Sequence, residues 1–205
     1  QALILSAREK IEKEPNYSFA AARLLLNNLY KGVFKEGVDS DVFNLQYRKS
    51  FIQNIKVLVD AKRLDPRLLD FDLKKLSEAL DISRDKKFKY LGIQILADRY
   101  FIRQDSKIME APQSFWMRVA MGLSINEKDK EEWAIKFYNI LSKFKYTPST
   151  PTLFNSGTCH SQLSSCYLNT FDDSIDGIFD GAWQEARKSK FAGGLGLDVT
   201  PFRST

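Results

Sequence analysis

The sequence predicts a mostly α-helical protein that ends in the opening of a parallel α/β structure. Three observations predict this class. Hydrophobic residues recur with helical period up to about residue 142. A segment rich in proline and hydroxyl residues, 147–152, then breaks the pattern. A strand, a helix and a second strand follow in that order. We therefore expect a helical domain at residues 1–145 and an α/β part at residues 146–205.

Composition and cysteine count narrow the class of protein. The 205 residues are 43% hydrophobic and 28% charged, with only 10 Gly and 6 Pro, which excludes collagen-like and largely disordered chains. Two cysteines, Cys159 and Cys166, are too few for a disulfide scaffold. No apolar stretch of about 18 residues predicts a membrane span, so we expect a cytoplasmic protein without membrane contact.

Four hydrophobic stripes predict the main helices of the first domain. We expect Asn16 to cap the first of these helices, and Asn126 with Asp129 to begin the last. Pro66 and Pro112 should lie in first helical turns, where proline is tolerated. The stripes are Phe19, Ala22, Arg23 and Leu26; Phe43, Tyr47, Phe51, Ile55 and Leu58; Phe88, Leu91, Ile95 and Ile102; and Trp133, Phe137, Ile140 and Leu141.

The α/β part begins with residues 147–152, whose prolines favour extended or turn structure. Residues 164–170 predict a short buried strand, and residues 191–199 predict a glycine-rich loop that runs into a second strand. One such unit leaves strand edges uncovered, so we expect the chain to be truncated. Residues 175–190 predict the helix between the strands, with Ile178, Trp183 and Ala186 inward.

Cys166 is the first candidate for chemistry. An isolated cysteine in such a chain is more often a small buried hydrophobe than a reactive group. Here, however, hydroxyl residues precede it, and an acidic turn at 172–174 and glycines 193, 194 and 196 follow. The glycines fit neither a dinucleotide-binding fingerprint nor a P-loop. They predict either a tight loop or close approach of the backbone to a ligand.

Several ordered motifs lie along nearly the whole chain. They are YLGIQ at 90–94, DRYFIR at 98–103, APQSFWMRVAMGL at 111–123, TPSTPTLFNSGT at 147–158, QLSSCYL at 162–168, DDSIDGI at 172–178 and AGGLGL at 192–197. Together these motifs resemble the large subunit of ribonucleotide reductases. The resemblance implies an N-terminal helical domain followed by the first part of that family's ten-stranded α/β barrel.

The resemblance assigns roles to individual residues. Cys166 matches one of two cysteines that reduce the ribose and become a disulfide, and its partner would lie outside this chain. Thr150 and Ser165 match positions that contact the substrate nucleotide, and Gly194 matches a loop glycine that lies against it. The residues that match the allosteric effector site are Asp173, Ser174, Ile175, Lys190 and Arg203.

The resemblance also implies an activity and partners. The protein would be a ribonucleoside-diphosphate reductase, which makes deoxyribonucleotides by a thiyl-radical mechanism. A small metal-containing subunit would generate the radical, so we expect no cofactor and no metal ligand in this chain. Deoxynucleotide triphosphates and ATP would be effectors, thioredoxin or glutaredoxin the reductant, and the large subunit a homodimer. The radical cysteine and the partner of Cys166 are missing, so this chain alone should be inactive.

Two other classes of function stay open on the residues alone. A non-catalytic helical scaffold or interaction module would not bind deoxynucleotide triphosphates. A nucleic-acid binder, suggested by the net charge of +5, would lose affinity steeply with salt and would tolerate loss of Asp173. Because the basic residues are interspersed with acidic ones in helical patterns, we expect solvated helix faces and no nucleic acid partner.

Overall fold

The computed structural model describes residues 2–34, 42–191 and 193–204. Ala192 of the glycine-rich motif lies outside the described residues. The chain divides into two compact units. One comprises residues 1–147 with 153–161, and the other comprises residues 148–152 with 162–205.

The first unit is helical, as predicted. Short 3-10 helices at Pro66–Asp70 and Ile82–Lys87 and a π turn at Leu96–Tyr100 link its longer elements. Arg103–Gln104 (β1) and Lys107–Ile108 (β2) form a small antiparallel hairpin. The helices are α1 (Ala2–Glu9), α2 (Tyr17–Val33), α3 (Phe43–Asp60), α4 (Leu73–Glu78), α5 (Tyr90–Ile95), α6 (Pro112–Ser124) and α7 (Lys130–Ser142).

Helix α6 lies at the centre of the core of this unit. All but two of its thirteen residues are buried, including the polar Gln113 and Arg118. A helix that is covered on all sides needs partners for such polar groups, and both side chains have them. Within the described part of the chain, no helix is both long and apolar enough to cross a membrane.

Two of the four predicted stripes lie mostly in the core, although Phe19 and Phe43 are half-buried and Arg23 is exposed. Ala22 and Leu26 of α2 and Tyr47, Phe51, Ile55 and Leu58 of α3 are buried. Pro66 and Pro112 begin helices, as predicted. Asn16 occupies the N-cap position of α2, although its side chain makes no capping hydrogen bond. The start of α7 was predicted three residues too early, because Asp129 and not Asn126 precedes its first turn.

The other two stripes were only partly right: Phe88, Ile102 and Leu141 are buried as predicted, but other members are exposed. Leu91 and Ile95 of α5 are 66% and 40% exposed, whereas Tyr90 and Ile93 are buried. On α7 the buried face is Ala134, Tyr138, Leu141 and Ser142, and Trp133 and Ile140 are 38% and 41% exposed. The buried face of α7 is thus shifted by one position, from Trp133 and Phe137 to Ala134 and Tyr138. The small Ala134 packs closely, and Tyr138 is held by its hydrogen bond to Gln113.

A polar cluster around Asp85 was not predicted. The Asp85 carboxylate is 2% exposed and accepts hydrogen bonds from Tyr30 Oη (2.6 Å), Tyr47 Oη (3.1 Å) and Gln113 Nε2 (2.7 Å). Burial raises the pKa of Asp85 to about 6, although the three donors favour its charged form. Tyr138 Oη extends the cluster by donating to Gln113 Oε1 at 2.7 Å.

The second unit contains a strand, a helix and a parallel strand, in the predicted order. Cys166–Thr170 (β3) pairs with Gly194–Asp198 (β4), and Ile175–Lys190 (α9) connects them. Thr150–Asn155 forms a short helix, α8, which overlaps residues 150–152, where extended or turn structure was predicted. A proline in the first turn, Pro151, is compatible with a helix because the first backbone N–H groups need no helical partner.

Burial in the second unit differs from the predicted pattern. Leu168 of β3 is 87% exposed, so the strand is not buried, and Ile178, Trp183 and Ala186 of α9 are exposed where they were predicted inward. Gly181 and Glu185 are the buried positions of α9. The side chains of β3 and α9 that were predicted to point inward are not covered by any of the described residues.

Candidate functional site

The structure brings Ser165, Cys166 and Gly194 together at the beginning of the parallel strand pair. Cys166 is in register with Gly194, and the Gly194 N–H donates to the Ser165 carbonyl at 2.8 Å. The Cys166 thiol is free and exposed, and its Sγ lies 3.8 Å from Ser165 Oγ. Three of the four predicted substrate residues therefore present a thiol, a hydroxyl and bare backbone at one place.

Gly193 and Gly194, beside the thiol, differ in how much room their surroundings leave for a side chain. A Cβ on Gly194 would lie 3.4 Å from Cys166 Sγ, an ordinary contact distance. A Cβ on Gly193 would lie only 2.6 Å from the Tyr167 ring, closer than real Cβ atoms approach. The packing beside the thiol therefore disfavours a side chain at position 193, whereas at position 194 an added Cβ would only be in van der Waals contact with Cys166 and Ser165.

Thr150, the fourth predicted substrate residue, is the first residue of α8. Its neighbour Thr152 is buried and donates its hydroxyl to the Leu163 carbonyl at 3.1 Å. This bond ties α8 to the segment that leads into β3.

The turn before α9 brings together four of the five residues predicted to bind the effector. Ser174 is the N-cap of α9, and its Oγ accepts the Gly177 N–H at 3.0 Å. Asp173 accepts the Arg203 backbone N–H at 3.3 Å and lies 3.3 Å from Arg203 Nε. Ile175, the first residue of the helix, is 75% exposed. A carboxylate, a cation and a helix N-terminus together can bind ribose hydroxyls and phosphates.

Lys190 is not part of this group. It is the last residue of α9, fifteen positions after Ile175. At about 1.5 Å per helical residue this separation is about 22 Å. The predicted effector residues thus lie at both ends of one helix, and a single nucleotide held at Asp173 would not reach Lys190 of the same chain.

A polar cluster that joins β3 to α9 was not predicted from the sequence. Asn169 Nδ2 donates to Glu185 Oε1 at 2.5 Å, Lys188 Nζ donates to Asn169 Oδ1, and Lys188 also pairs with Glu185 at 3.9 Å. The spacing of three between Glu185 and Lys188 is a detectable helical pair. These contacts hold the helix against the strand that carries Cys166.

Cys159 and His160 lie outside the predicted site, and the His160 backbone N–H donates to Thr158 Oγ1 at 3.3 Å. Cys159 Sγ donates to the Leu64 carbonyl at 3.0 Å, which is a structural contact. Across residues 2–34, 42–191 and 193–204, no three His, Cys, Asp or Glu side chains are placed to hold a metal ion.

Two parts of the chain match models of domains from one protein family. Residues 86–161 match the family model of the ribonucleotide reductase all-alpha domain, and residues 164–205 match that of the barrel domain. The chain is 51% identical over its full length to the ribonucleoside-diphosphate reductase subunit alpha of Chlamydia muridarum, covering 20% of that protein. It is 38% identical over its full length to the Helicobacter pylori subunit alpha, covering 25% of that protein.

A viral relative is also similar. The chain is 36% identical, over 94% of its length, to the ribonucleoside-diphosphate reductase large subunit of Monkeypox virus, covering 24% of that protein. The chain therefore spans about a fifth to a quarter of the length of the curated relatives it matches.

Proposed function

Because the chain belongs to the large-subunit family of ribonucleotide reductases, we propose that it forms part of a ribonucleoside-diphosphate reductase. This oxidoreductase would make deoxyribonucleotides for DNA synthesis. The observation that carries the proposal is the exposed Cys166 thiol beside Ser165 and Gly194, at the start of a parallel strand pair. We also propose a domain boundary at residue 145 and a cytoplasmic location.

Cys166 supplies one half of the reductant. With a second cysteine outside this chain it would donate two electrons to the ribose, so that the 2′ hydroxyl leaves as water and the two thiols become a disulfide. Exposure of the thiol suits this role because substrate and reductant must both reach it. Thr150, Ser165 and the Gly194 backbone would bind the substrate nucleotide.

The turn before α9 would be the effector site. Asp173, Ser174 and Ile175 provide a carboxylate and a helix N-terminus, and Arg203 a cation for phosphate. Because Lys190 lies at the other end of α9, its proposed contact would be to an effector bound by another copy of the chain, which agrees with the proposed homodimer.

The proposed partners follow from the chemistry. A metal-containing small subunit would generate the radical, and thioredoxin or glutaredoxin would restore the dithiol. The test is a full-length large subunit with this sequence, mixed with its small subunit, a dithiol reductant and a ribonucleoside diphosphate. Formation of deoxynucleotide that depends on all three supports the proposal. Absence of product with a subunit shown to carry a radical contradicts it.

A further inference from the structure

The side chains of β3 alternate between two faces of the strand. Cys166 and Leu168 are exposed, whereas Tyr167 and Asn169 are half-buried. Because successive side chains of a strand point to opposite faces, the thiol lies on one face, and Tyr167 and Asn169 lie on the other. Asn169 donates to Glu185 of α9, so the second face is the one that the helix covers. The strand that carries the thiol is thus supported from its opposite side.

Lys188, in the last turn of α9, contacts this covered face. Its Nζ donates to Asn169 Oδ1 and lies 3.9 Å from Glu185 Oε1. The same nitrogen lies over the Tyr167 ring, 5.9 Å from the ring centroid. The Lys188 side chain is only 23% exposed, and a hydrogen bond from a charged donor is stronger than one between neutral groups. Lys188 therefore joins the end of α9 to β3.

The backbone of the same lysine holds the chain that leaves the helix. The Lys188 carbonyl accepts the Phe191 N–H at 3.1 Å and the Gly193 N–H at 3.2 Å. Gly193 also packs against the Tyr167 ring, which a Cβ at that position would approach to 2.6 Å. Lys188 and Tyr167 together therefore fix the backbone immediately before Gly194, the first residue of β4.

We propose that Lys188 is a positioning residue for substrate binding: by joining the last turn of α9 to β3, it fixes the Gly193–Gly194 backbone beside Cys166. All of these residues belong to one compact unit of the chain. Release of the Lys188 side chain from Asn169 frees the last helical turn, so that the Lys188 carbonyl and the Gly193 amide bound to it move. This inference rests on the proposed function, because it takes Gly194 as a substrate contact.

The test is Lys188→Met in the full-length subunit. Methionine keeps an unbranched apolar side chain but loses the charge and the donor. The KM for ribonucleoside diphosphate should rise about tenfold with kcat changed less than about threefold, as when ground-state binding is lost. Lys188→Arg should return KM to within about threefold of the unmodified subunit, because a guanidinium can also donate to Asn169 and pair with Glu185.

Arg187→Met is the matched control. Arg187 precedes Lys188 on α9, is exposed, and lies over the Trp183 ring at 4.7 Å from the ring centroid. The change removes the same charge from the same helical turn and leaves the Lys188 contacts in place, so KM should stay within about twofold. A Lys188→Met protein whose KM rises no more than that of Arg187→Met overturns the inference, as does a Lys188→Arg protein that fails to restore KM.

Hydrogen exchange on the same full-length proteins separates this inference from the proposed function. The Gly193 and Gly194 amides should exchange about tenfold faster in Lys188→Met, while those of α3 stay unchanged, because one charged hydrogen bond is lost at the end of α9. Faster exchange confined to the two glycines supports the positioning role even in a subunit that makes no deoxynucleotide. Unchanged exchange there overturns it even in an active one.

Asn169→Ala covers the case in which Lys188→Met does not fold. It removes the acceptor of the Lys188 hydrogen bond and leaves the pair of Lys188 with Glu185 in place. The same rise in KM and the same faster exchange at Gly193 and Gly194 are expected. An Asn169→Ala protein with unchanged KM and unchanged exchange at these glycines overturns the inference.

Discussion

Arg203 binds Asp173 across thirty residues of sequence, with its backbone N–H and its Nε each 3.3 Å from the same carboxylate oxygen. The Arg203 side chain is 82% exposed, so the pair contributes little to stability. An exposed arginine can exchange a carboxylate partner for a phosphate at low cost. Arg203 is therefore free to turn toward a phosphate at the proposed effector site.

Asp173→Asn should weaken effector binding. The amide keeps the size of the side chain but loses the charge that a ribose hydroxyl or Arg203 binds, and loss of one charged hydrogen bond corresponds to about tenfold in affinity. The proposed effector would choose which ribonucleotide is reduced, so this choice should become less strict, with less effect on the basal rate. Equilibrium binding of a deoxynucleotide triphosphate to the full-length subunit measures this.

Asp180→Asn is the control for this change. Asp180 lies on α9, where it accepts a hydrogen bond from Gln184, whereas Arg203 pairs with Asp173. Its loss should leave effector affinity unchanged. Equal affinities in the Asp173 variant and the unmodified subunit would rule out this effector site.

Asp85 should make stability depend on pH in the acid range. Its pKa is raised by burial from 3.8 to about 6, so the folded state binds the proton more tightly than the unfolded state. The protonated Asp85 side chain therefore contributes most to the free energy of unfolding below about pH 4. This contribution is lost as the pH rises through about 6, and above that pH the penalty for the buried charge is on the order of 3 kcal/mol.

The test compares the unmodified chain with Asp85→Asn by urea unfolding followed by circular dichroism. Carboxylates with lowered pKa, such as Asp65 and Asp81, act in the opposite direction but remain in both proteins. The difference in unfolding free energy should therefore change between pH 4 and pH 7 in favour of the variant. A difference that stays constant over this range would exclude the shifted pKa.

The second unit should be less protected than the helices when the chain is isolated. Phe179 and Trp183 of α9 are 71% and 57% exposed, and Leu168 of β3 is 87% exposed. Hydrogen exchange on the isolated chain should show protected amides before about residue 142 and fast exchange after residue 161, because residues 153–161 belong to the helical unit. Addition of the remaining barrel strands should restore protection around Cys166. Equal protection in both parts of the isolated chain would contradict the barrel assignment.

The sequence predicted where the helices lie better than it predicted which side of each helix is buried. Periodicity located α3 and its buried stripe, because Tyr47, Phe51, Ile55 and Leu58 all face one core. It failed on α7, where Trp133 and Phe137 are larger than Ala134 but Ala134 is the residue that packs closely. Hydrophobicity alone does not distinguish these faces, because packing depends on the shape of the partner helix.

The motifs in the sequence predicted which residues form the candidate site, but they did not predict how these residues are arranged. The register that puts Cys166 opposite Gly194 depends on how α9 returns the chain, which no local pattern specifies. The contact of Lys188 with Asn169 was missed because the two residues lie nineteen positions apart. Such a spacing falls outside the helical intervals that sequence analysis uses.

The most direct test follows Cys166 during one turnover. A full-length subunit reduced beforehand is mixed with radical-loaded small subunit, effector and one ribonucleoside diphosphate, without external reductant, and alkylated after quenching. Mass spectrometry should find Cys166 in a disulfide in proportion to the deoxynucleotide formed. Cys166→Ser should fold, because the side chain is exposed, yet form no product, whereas Cys159→Ser should remain active. Deoxynucleotide formed while Cys166 stays a free thiol would contradict the account.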